Sequence, residues 1–155
     1  MLLMHSDRIA LPYLRITMIR TYEELITLET FEERFKYLKL KGSIGADTFG
    51  FDRWLNQVFY MSQEWRDVRR AVIIRDCGYD LGCETHPINN QRLVVHHMNP
   101  ISIDDVKNRT ELLLNPNYLI TTTDSTHKAI HYGDLDYLDR GKVIERGPND
   151  TCPWR

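Results

Sequence analysis

Four of the six histidines in this sequence form two pairs whose spacing suits metal chemistry. His127 and His131 are four residues apart, so on a helix they share one face and can converge on one ion. His96 and His97 are adjacent, so on a strand their side chains leave on opposite faces and suit two different tasks. Three neutral imidazoles around a divalent cation leave coordination positions open for water and a phosphate oxygen, as in a catalytic site.

Each pair alone is weak evidence for a metal site. A helical i,i+4 pair is often only a polar face, and an isolated His-His dipeptide is weaker still. Their occurrence together in a strand–turn–strand–helix pattern is what favours metal binding. The two other histidines, His5 and His86, lie in predicted loops, and we interpret them as surface residues.

The residues around the histidines predict the elements that must position them. The segment 92–97 is rich in β-forming residues and predicts one strand, and 118–122 predicts a second. A final short helix carries His127 and His131; Asp124 or Ser125 is its expected N-cap, and Gly133 closes it. These elements can fold back so that the histidine pairs meet.

The rest of the chain predicts mainly helices. Three capping-box patterns mark helix starts, namely Thr21 with Glu24, Thr30 with Glu33, and Ser102 with Asp105, the last opening a helix up to about Leu114. Lys41-Gly42 is a predicted stop, and the glycines of 42–50 predict a loop. Two further helices are expected to bury apolar residues: a short one with Trp54, Leu55, Val58 and Phe59, and 63–75, capped by Ser62, with Trp65, Val68 and Val72 inward.

Composition places the chain among ordinary globular proteins with one modest core. It has 155 residues, 42% hydrophobic and 27% charged, and no apolar run approaches the roughly 18 residues of a membrane helix. The N-terminus lacks the features of a signal peptide, and three cysteines without framework spacing favour a reducing cytoplasm. A net charge of −2 argues against coating nucleic acid by bulk electrostatics, but it permits a local basic face.

We divide the chain into three parts. Residues 1–17 carry little pattern and form either an N-terminal arm or a segment upstream of the true start at Met18. Residues 18–133 form a single domain, and the polar segment 134–155 is a C-terminal tail. The expected fold class is α+β, with a helical N-terminal half.

Three segments, VVHHMNPI, NPNYLITTT and THKAIHYG, resemble the HNH, or ββα-metal, nuclease motif. The preceding WRDVRRAVIIRDCGYDLGC is similar to the helix and turn that lead into that motif, so the resemblance covers residues 63–133. From about Arg20 onward the chain resembles small HNH-type proteins of bacteriophages that infect Gram-positive hosts. The resemblance implies a β-hairpin and a helix, with a motif core at 91–133, that grip one divalent cation and cleave phosphodiester bonds in DNA.

The resemblance also implies residue roles. His96, His127 and His131 take metal-ligand positions, and His97 takes the general-base position. Tyr118 stands where the family's central asparagine usually lies, and Asn117, one position earlier, is the alternative catalytic residue.

Many relatives carry two cysteine pairs in a structural zinc knuckle. Here Cys77 and Cys83 are separated by five residues, and Thr123 and Thr126 stand where the second pair would be. We therefore interpret the cysteines as small core residues or free thiols. A redox or zinc-ribbon module built on them ranks far behind.

An all-histidine site is softer than a carboxylate site, so nickel, zinc, cobalt or manganese is expected to bind more tightly than magnesium. The expected DNA-contacting residues are basic: Arg66, Arg69, Arg70, Arg75 and Lys128. Contacts from such residues to phosphate give salt-sensitive binding with low sequence specificity. The alternative is a solvated helix face that Glu64 and Asp67 partly compensate.

Two functions follow as hypotheses. The first is a metal-dependent DNA endonuclease or nickase that works with phage replication or packaging proteins in the bacterial cytoplasm. The second is a non-catalytic relative in which the histidines hold a structural ion and the domain binds DNA or a phage protein.

Overall fold

The computed structural model describes residues 18–40, 53–83, 86–88 and 91–138. The predicted arm at 1–17, the stop at Lys41-Gly42, the loop at 42–50 and most of the tail lie outside the described residues. The described part is mixed α and β, as the sequence predicts. No helix in these ranges is long and apolar enough to cross a membrane.

Two short helices begin the fold, α1 (Tyr22–Leu25) and α2 (Phe31–Leu38). The capping box at Thr30 is complete, because Thr30 and Glu33 each accept a hydrogen bond from the other's backbone N–H. The box at Thr21 is only half formed: the Thr21 side chain accepts from the Glu24 backbone N–H at 3.2 Å, while the Glu24 carboxylate accepts from the Tyr37 hydroxyl at 2.5 Å.

Two further helices follow, α3 (Arg53–Met61) and α4 (Gln63–Arg75). Ser62 caps α4, and Trp65 and Val72 are buried as predicted. Phe59 is buried at the end of α3, whereas Val58 is 53% exposed, so the expectation that Val58 points inward is wrong.

Two antiparallel strand pairs occur in the described residues. Strands β1 (Tyr79–Asp80) and β2 (His86–Pro87) form a two-residue pair where the sequence predicts a loop. Such a short pair gives no periodic signal in the sequence. The two predicted strands, β3 (Leu93–His97) and β4 (Leu119–Thr123), pair antiparallel, with His96 opposite Ile120 and His97 opposite Leu119, and we call this pair of strands the hairpin.

The connection between β3 and β4 contains two helices rather than one. Ser102 and Asp105 form the predicted reciprocal box at the start of α5 (Ile103–Asn108), but Arg109 adopts a left-handed conformation with φ 52° and ends the helix. A second helix, α6 (Glu111–Leu114), and a 3-10 turn (Pro116–Tyr118) then lead into β4.

Helix α7 (Asp124–Tyr132) follows β4 without a loop, because Thr123 is both the last residue of β4 and the N-cap of α7. The cap is therefore neither Asp124 nor Ser125, the two residues predicted. Gly133 ends α7 with φ 65°, as expected for a helix C-terminus. A 3-10 turn (Leu135–Tyr137) then packs back on the helix.

Two buried aspartates hold the outer edge of β4. One oxygen of Asp76 accepts from the Thr121 N–H at 2.7 Å, and one oxygen of Asp80 accepts from the Thr123 N–H at 2.9 Å. Leu81 N–H donates to the Thr121 carbonyl at 3.0 Å. Since an open strand edge leaves backbone groups unpaired, these contacts fix β4 and the start of α7 in place.

The hairpin separates two apolar clusters. One contains Phe59, Trp65, Val72, Val95, Val106, Leu113 and Leu119. The other contains Leu25, Leu38, Leu81, Met98, Ile120 and Ile130. The adjacent residues Leu119 and Ile120 thus face opposite sides, and their partners His97 and His96 do the same.

Candidate metal centre

Three of the four predicted site histidines converge on the side of the hairpin that faces α7. The ring centroid of His96, from β3, lies 5.1 Å from that of His127 and 4.9 Å from that of His131. The rings of His127 and His131 are 4.2 Å apart. One nitrogen of each ring lies within 4.8 Å of the others, so these three histidines lie close enough together to hold a metal ion.

The polar atoms of the triad have few partners within the protein. His96 is 1% exposed, and its Nε2 has no hydrogen-bond partner in the described part of the chain. The same holds for the buried Nδ1 of His131. Because a buried polar atom without a partner is costly, these two nitrogens fit a site that receives a ligand.

The distances within the triad are close to those of a bound site. The Nε2 atoms of His127 and His131 lie 2.9 Å apart and share a hydrogen bond. With metal–nitrogen bonds of about 2.0–2.1 Å, two ligand nitrogens lie roughly 3.0–3.4 Å apart. The His127 and His131 pair therefore needs little movement to bind an ion, whereas the His96 nitrogen, which lies within 4.8 Å of the other two, has to approach them.

Burial keeps the triad neutral. The pKa of His96 lies well below its ordinary value, first because the ring is buried and then because His127 and His131 are near. Burial, followed by the proximity of His127, lowers the pKa of His131 to about 4. The pKa of His127 is lowered mainly by burial and is partly restored by Asp124. Protons therefore compete little with a metal ion for these nitrogens near neutral pH.

The open side of the triad is the side next to the exposed face of α7. His96 is buried against the core, whereas His127 and His131 are partly exposed. An ion bound between them would keep positions open towards solvent. Such an arrangement is typical of a catalytic rather than a structural site.

His97 lies on the opposite face of β3, as strand alternation predicts. Its ring stacks on Trp65 with centroids 5.2 Å apart and an interplanar angle of 18°. Its Nε2 lies 3.1 Å from the Leu113 carbonyl oxygen. A carbonyl only accepts, so Nε2 carries the proton and donates it, and Nδ1 keeps the lone pair.

Burial lowers the pKa of His97 to about 4, against the opposing influence of the Leu113 carbonyl. The ring is therefore a neutral imidazole near pH 7. A neutral ring with a free lone pair on Nδ1 can accept a proton.

Within the described residues, no hydrogen bond joins the side chain of Asn117 or Tyr118 to His97. Both residues lie in the 3-10 turn, and within the described ranges neither side chain makes a hydrogen bond. The backbone N–H of Asn117 donates to Asn115 Oδ1 at 2.9 Å. The Leu113 carbonyl is what orients the His97 ring, a contact for which a sequence gives no signal, since every residue has a carbonyl.

Arg75, one of the predicted DNA contacts, makes several hydrogen bonds within the fold. Its guanidinium donates to Asp76 Oδ1, the Pro116 carbonyl and the Leu119 carbonyl, each at 2.7 Å. It also lies 3.6 Å from the centre of the Tyr22 ring. The DNA contact expected of Arg75 stays a prediction, and the structure shows that its donors join α4 to β4.

The other predicted DNA contacts remain at the surface. On α4, Arg66 and Arg70 are exposed and Arg69 is half-buried, and no ion pair involves them in the described part of the chain. Lys128 is exposed and pairs with Asp124 at 2.7 Å. Exposed pairs of this kind contribute little to stability, so Lys128 can readily exchange its partner.

Two aromatic residues beside the triad were not identified from the sequence. The rings of Tyr132 and Tyr137 stack with centroids 4.9 Å apart, and both residues are exposed. Their five-residue separation fits no helical or strand period, so only the fold reveals the contact. Of the cysteines, Cys83 is buried and Cys77 exposed, while Cys152 lies outside the described residues.

Comparison with known proteins gives no relative from which a role could be transferred. No protein-family model, no curated protein and no solved structure significantly matches this chain.

Proposed function

We propose that this chain is a metal-dependent DNA endonuclease or nickase of the HNH type, in which β3, β4 and α7 form the ββα-metal motif. The observation that carries the proposal is the convergence of His96, His127 and His131 within 4.8 Å of one another. In this proposal the three histidines hold one divalent cation, with Mg, Mn, Ni, Co and Zn as candidates.

The proposed chemistry divides between the two faces of β3. When bound, the cation would stabilise negative charge at phosphorus and on the departing 3′ oxygen. His97 accepts the proton of the attacking water at Nδ1, while the Leu113 carbonyl fixes the tautomer and Trp65 holds the ring. The scissile phosphate must then lie at the end of β3, within reach of both the ion held by His96 and the ring of His97.

The remaining parts of the proposal concern DNA. Arg66, Arg69 and Arg70 on α4 are proposed phosphate contacts, which give salt-dependent binding with little sequence specificity. The proposed setting is the cytoplasm of a bacterial host, alongside phage replication or packaging proteins.

A supercoiled-plasmid assay tests the proposal. The purified protein is incubated with each candidate metal in turn, with a chelator as control, and nicked and linear products are separated on a gel. We expect cleavage with at least one metal, its loss in His96→Ala, and its retention in His86→Ala, a histidine of β2. Single-stranded circular DNA is tested in parallel, and absence of cleavage of both DNA forms by a folded, metal-loaded wild-type protein would refute the nuclease proposal.

A second candidate is a non-catalytic domain that uses the triad to hold a structural ion. The observation that favours it is the environment of His97, which stacks on Trp65 and, in the described residues, has no hydrogen bond to Asn117. The same assay separates the candidates, because this protein would bind metal and DNA without cutting.

A further inference from the structure

The surface of α7 beside the triad carries a lysine and exposed tyrosines. In α7, Lys128 directly follows His127, and one turn later Tyr132 directly follows His131. Lys128 and Tyr132 are themselves four residues apart and so lie on one stripe of the helix. Each residue of this stripe is one position after a triad histidine, so the stripe lies beside the one that carries His127 and His131.

Two tyrosines end this stripe. Tyr132 is 57% exposed and Tyr137 is 44% exposed, although their rings stack at an interplanar angle of 25°. Each ring uses one face for the other, so the pair forms a fixed aromatic platform at the surface. Because both rings remain exposed, they contribute little to the apolar core, and binding of a ligand explains the pair better than stabilisation of the fold.

Cations lie at the other end of the same stripe. Arg92 is exposed, and its carbonyl accepts from the Asp124 N–H at 3.1 Å, which places it at the start of α7. Lys128, one turn further, pairs with the Asp124 carboxylate at 2.7 Å. The stripe therefore begins with this ion pair, with Arg92 at its start, and ends with aromatic rings.

We propose that this surface binds DNA with unpaired bases, so that a base stacks on the platform of Tyr132 and Tyr137 while its backbone passes the triad. The inference rests on the proposed function and names its substrate class: single strands, overhangs or flaps rather than continuous duplex. Inside a duplex both faces of every base are covered by neighbouring bases, so only an unpaired or terminal base can stack on a protein ring. Aromatic platforms next to cations are the usual means of holding single strands without sequence preference.

Binding can be measured without cleavage. The full-length protein is titrated, in chelator, into a fluorescein-labelled oligonucleotide of about 16 nucleotides or its blunt duplex, and fluorescence anisotropy is followed. We expect tighter binding of the single strand. Tyr132→Leu and Tyr137→Leu should each weaken single-strand binding at least about 5-fold and affect duplex binding less.

Two control variants guard against misfolding. Tyr132→Phe keeps the ring and should bind like wild type, and Tyr79→Leu removes another exposed tyrosine, in β1, and should have no effect. Equal affinity for the two forms of DNA, no binding of either, or unchanged single-strand binding in both leucine variants would overturn the inference. Preferential binding without metal-dependent cleavage would support the inference and refute the nuclease proposal, so the two failures are distinguishable.

Discussion

His96 and His97 are adjacent in β3, yet their rings lie in separate environments on opposite faces of the strand. The ring of His96 meets His127 and His131, whereas the ring of His97 stacks on Trp65 and bonds to the Leu113 carbonyl. One dipeptide thus contributes to two sites, and mutations at the two positions should have different consequences.

Metal binding should depend on the two histidines of α7. Replacing both His127 and His131 with alanine should abolish tight binding of zinc or nickel in titration calorimetry, because one nitrogen cannot replace three. In wild type, metal at about 100 times its Kd should stabilise the fold by about 2.7 kcal/mol. A double variant that keeps the wild-type affinity would refute the site.

The adjacent histidines should differ in kinetics. His97→Ala should leave metal affinity near the wild-type value but lower cleavage by roughly 10²–10⁴-fold, the usual effect of losing a general base. His96→Ala should weaken metal affinity and cleavage together. Calorimetry and plasmid cleavage on the same samples test this. If His97→Ala loses the metal and His96→Ala does not, the two roles are reversed.

Arg75 should matter for stability rather than for DNA. Arg75→Ala removes the cation paired with the buried Asp76 carboxylate and one donor to each of the Pro116 and Leu119 carbonyls, so we expect a loss of about 2–4 kcal/mol in urea unfolding. Arg66→Ala is the matched control on the same helix. It should change stability by less than about 0.5 kcal/mol and reduce DNA affinity instead. The reverse pattern would contradict the assignment of Arg75.

The metal-free protein should lose stability in mild acid. In the unfolded chain the histidine pKa is 6.5, while in the fold His97 and His131 have pKa values of about 4. Below pH 6.5 the unfolded state therefore binds more protons, so the free energy of unfolding falls as pH drops towards 4.

The size of this effect is about 1 kcal/mol or more per group at pH 5, a pH above the range where most carboxylates titrate. Urea unfolding between pH 7 and pH 5 measures it. His97→Phe keeps a ring against Trp65 but cannot titrate, so its slope with pH should be shallower. An identical slope would show that His97 is not responsible.

Residues 1–17 should be dispensable, and residues 18–20 should not. Arg20 is anchored through its backbone N–H to Asn99 Oδ1 at 2.8 Å and through Nε to the Tyr37 carbonyl at 2.6 Å. A chain starting at Met18 should keep its melting temperature within about 2 °C, whereas one starting at Thr21 should lose about 1–3 kcal/mol. Calorimetric melting of both chains decides the matter. A large loss on starting at Met18 would show that the first 17 residues stabilise the fold.

The local elements around the histidines could be predicted because their signals are local. Capping hydrogen bonds link residues three apart, so the sequence alone predicts the boxes of Thr30 with Glu33 and Ser102 with Asp105. Alternation along β3 and the i,i+4 spacing of His127 and His131 likewise follow from backbone geometry alone. The α+β class and the pairing of His127 with His131 needed nothing further, whereas the choice of His96 rather than His97 rested on the resemblance to the HNH motif.

Only the tertiary structure decided what each side chain meets. The sequence groups Arg75 with the other arginines of α4, and its hydrogen bonds inside the fold depend on carbonyls at Pro116 and Leu119, more than 40 residues away. Leu113 holds His97 through a backbone atom that every residue possesses. The break at Arg109 and the meeting of Tyr132 with Tyr137 also depend on packing. Spacing determines which residues share a face, but contacts between distant segments arise only when those faces pack together.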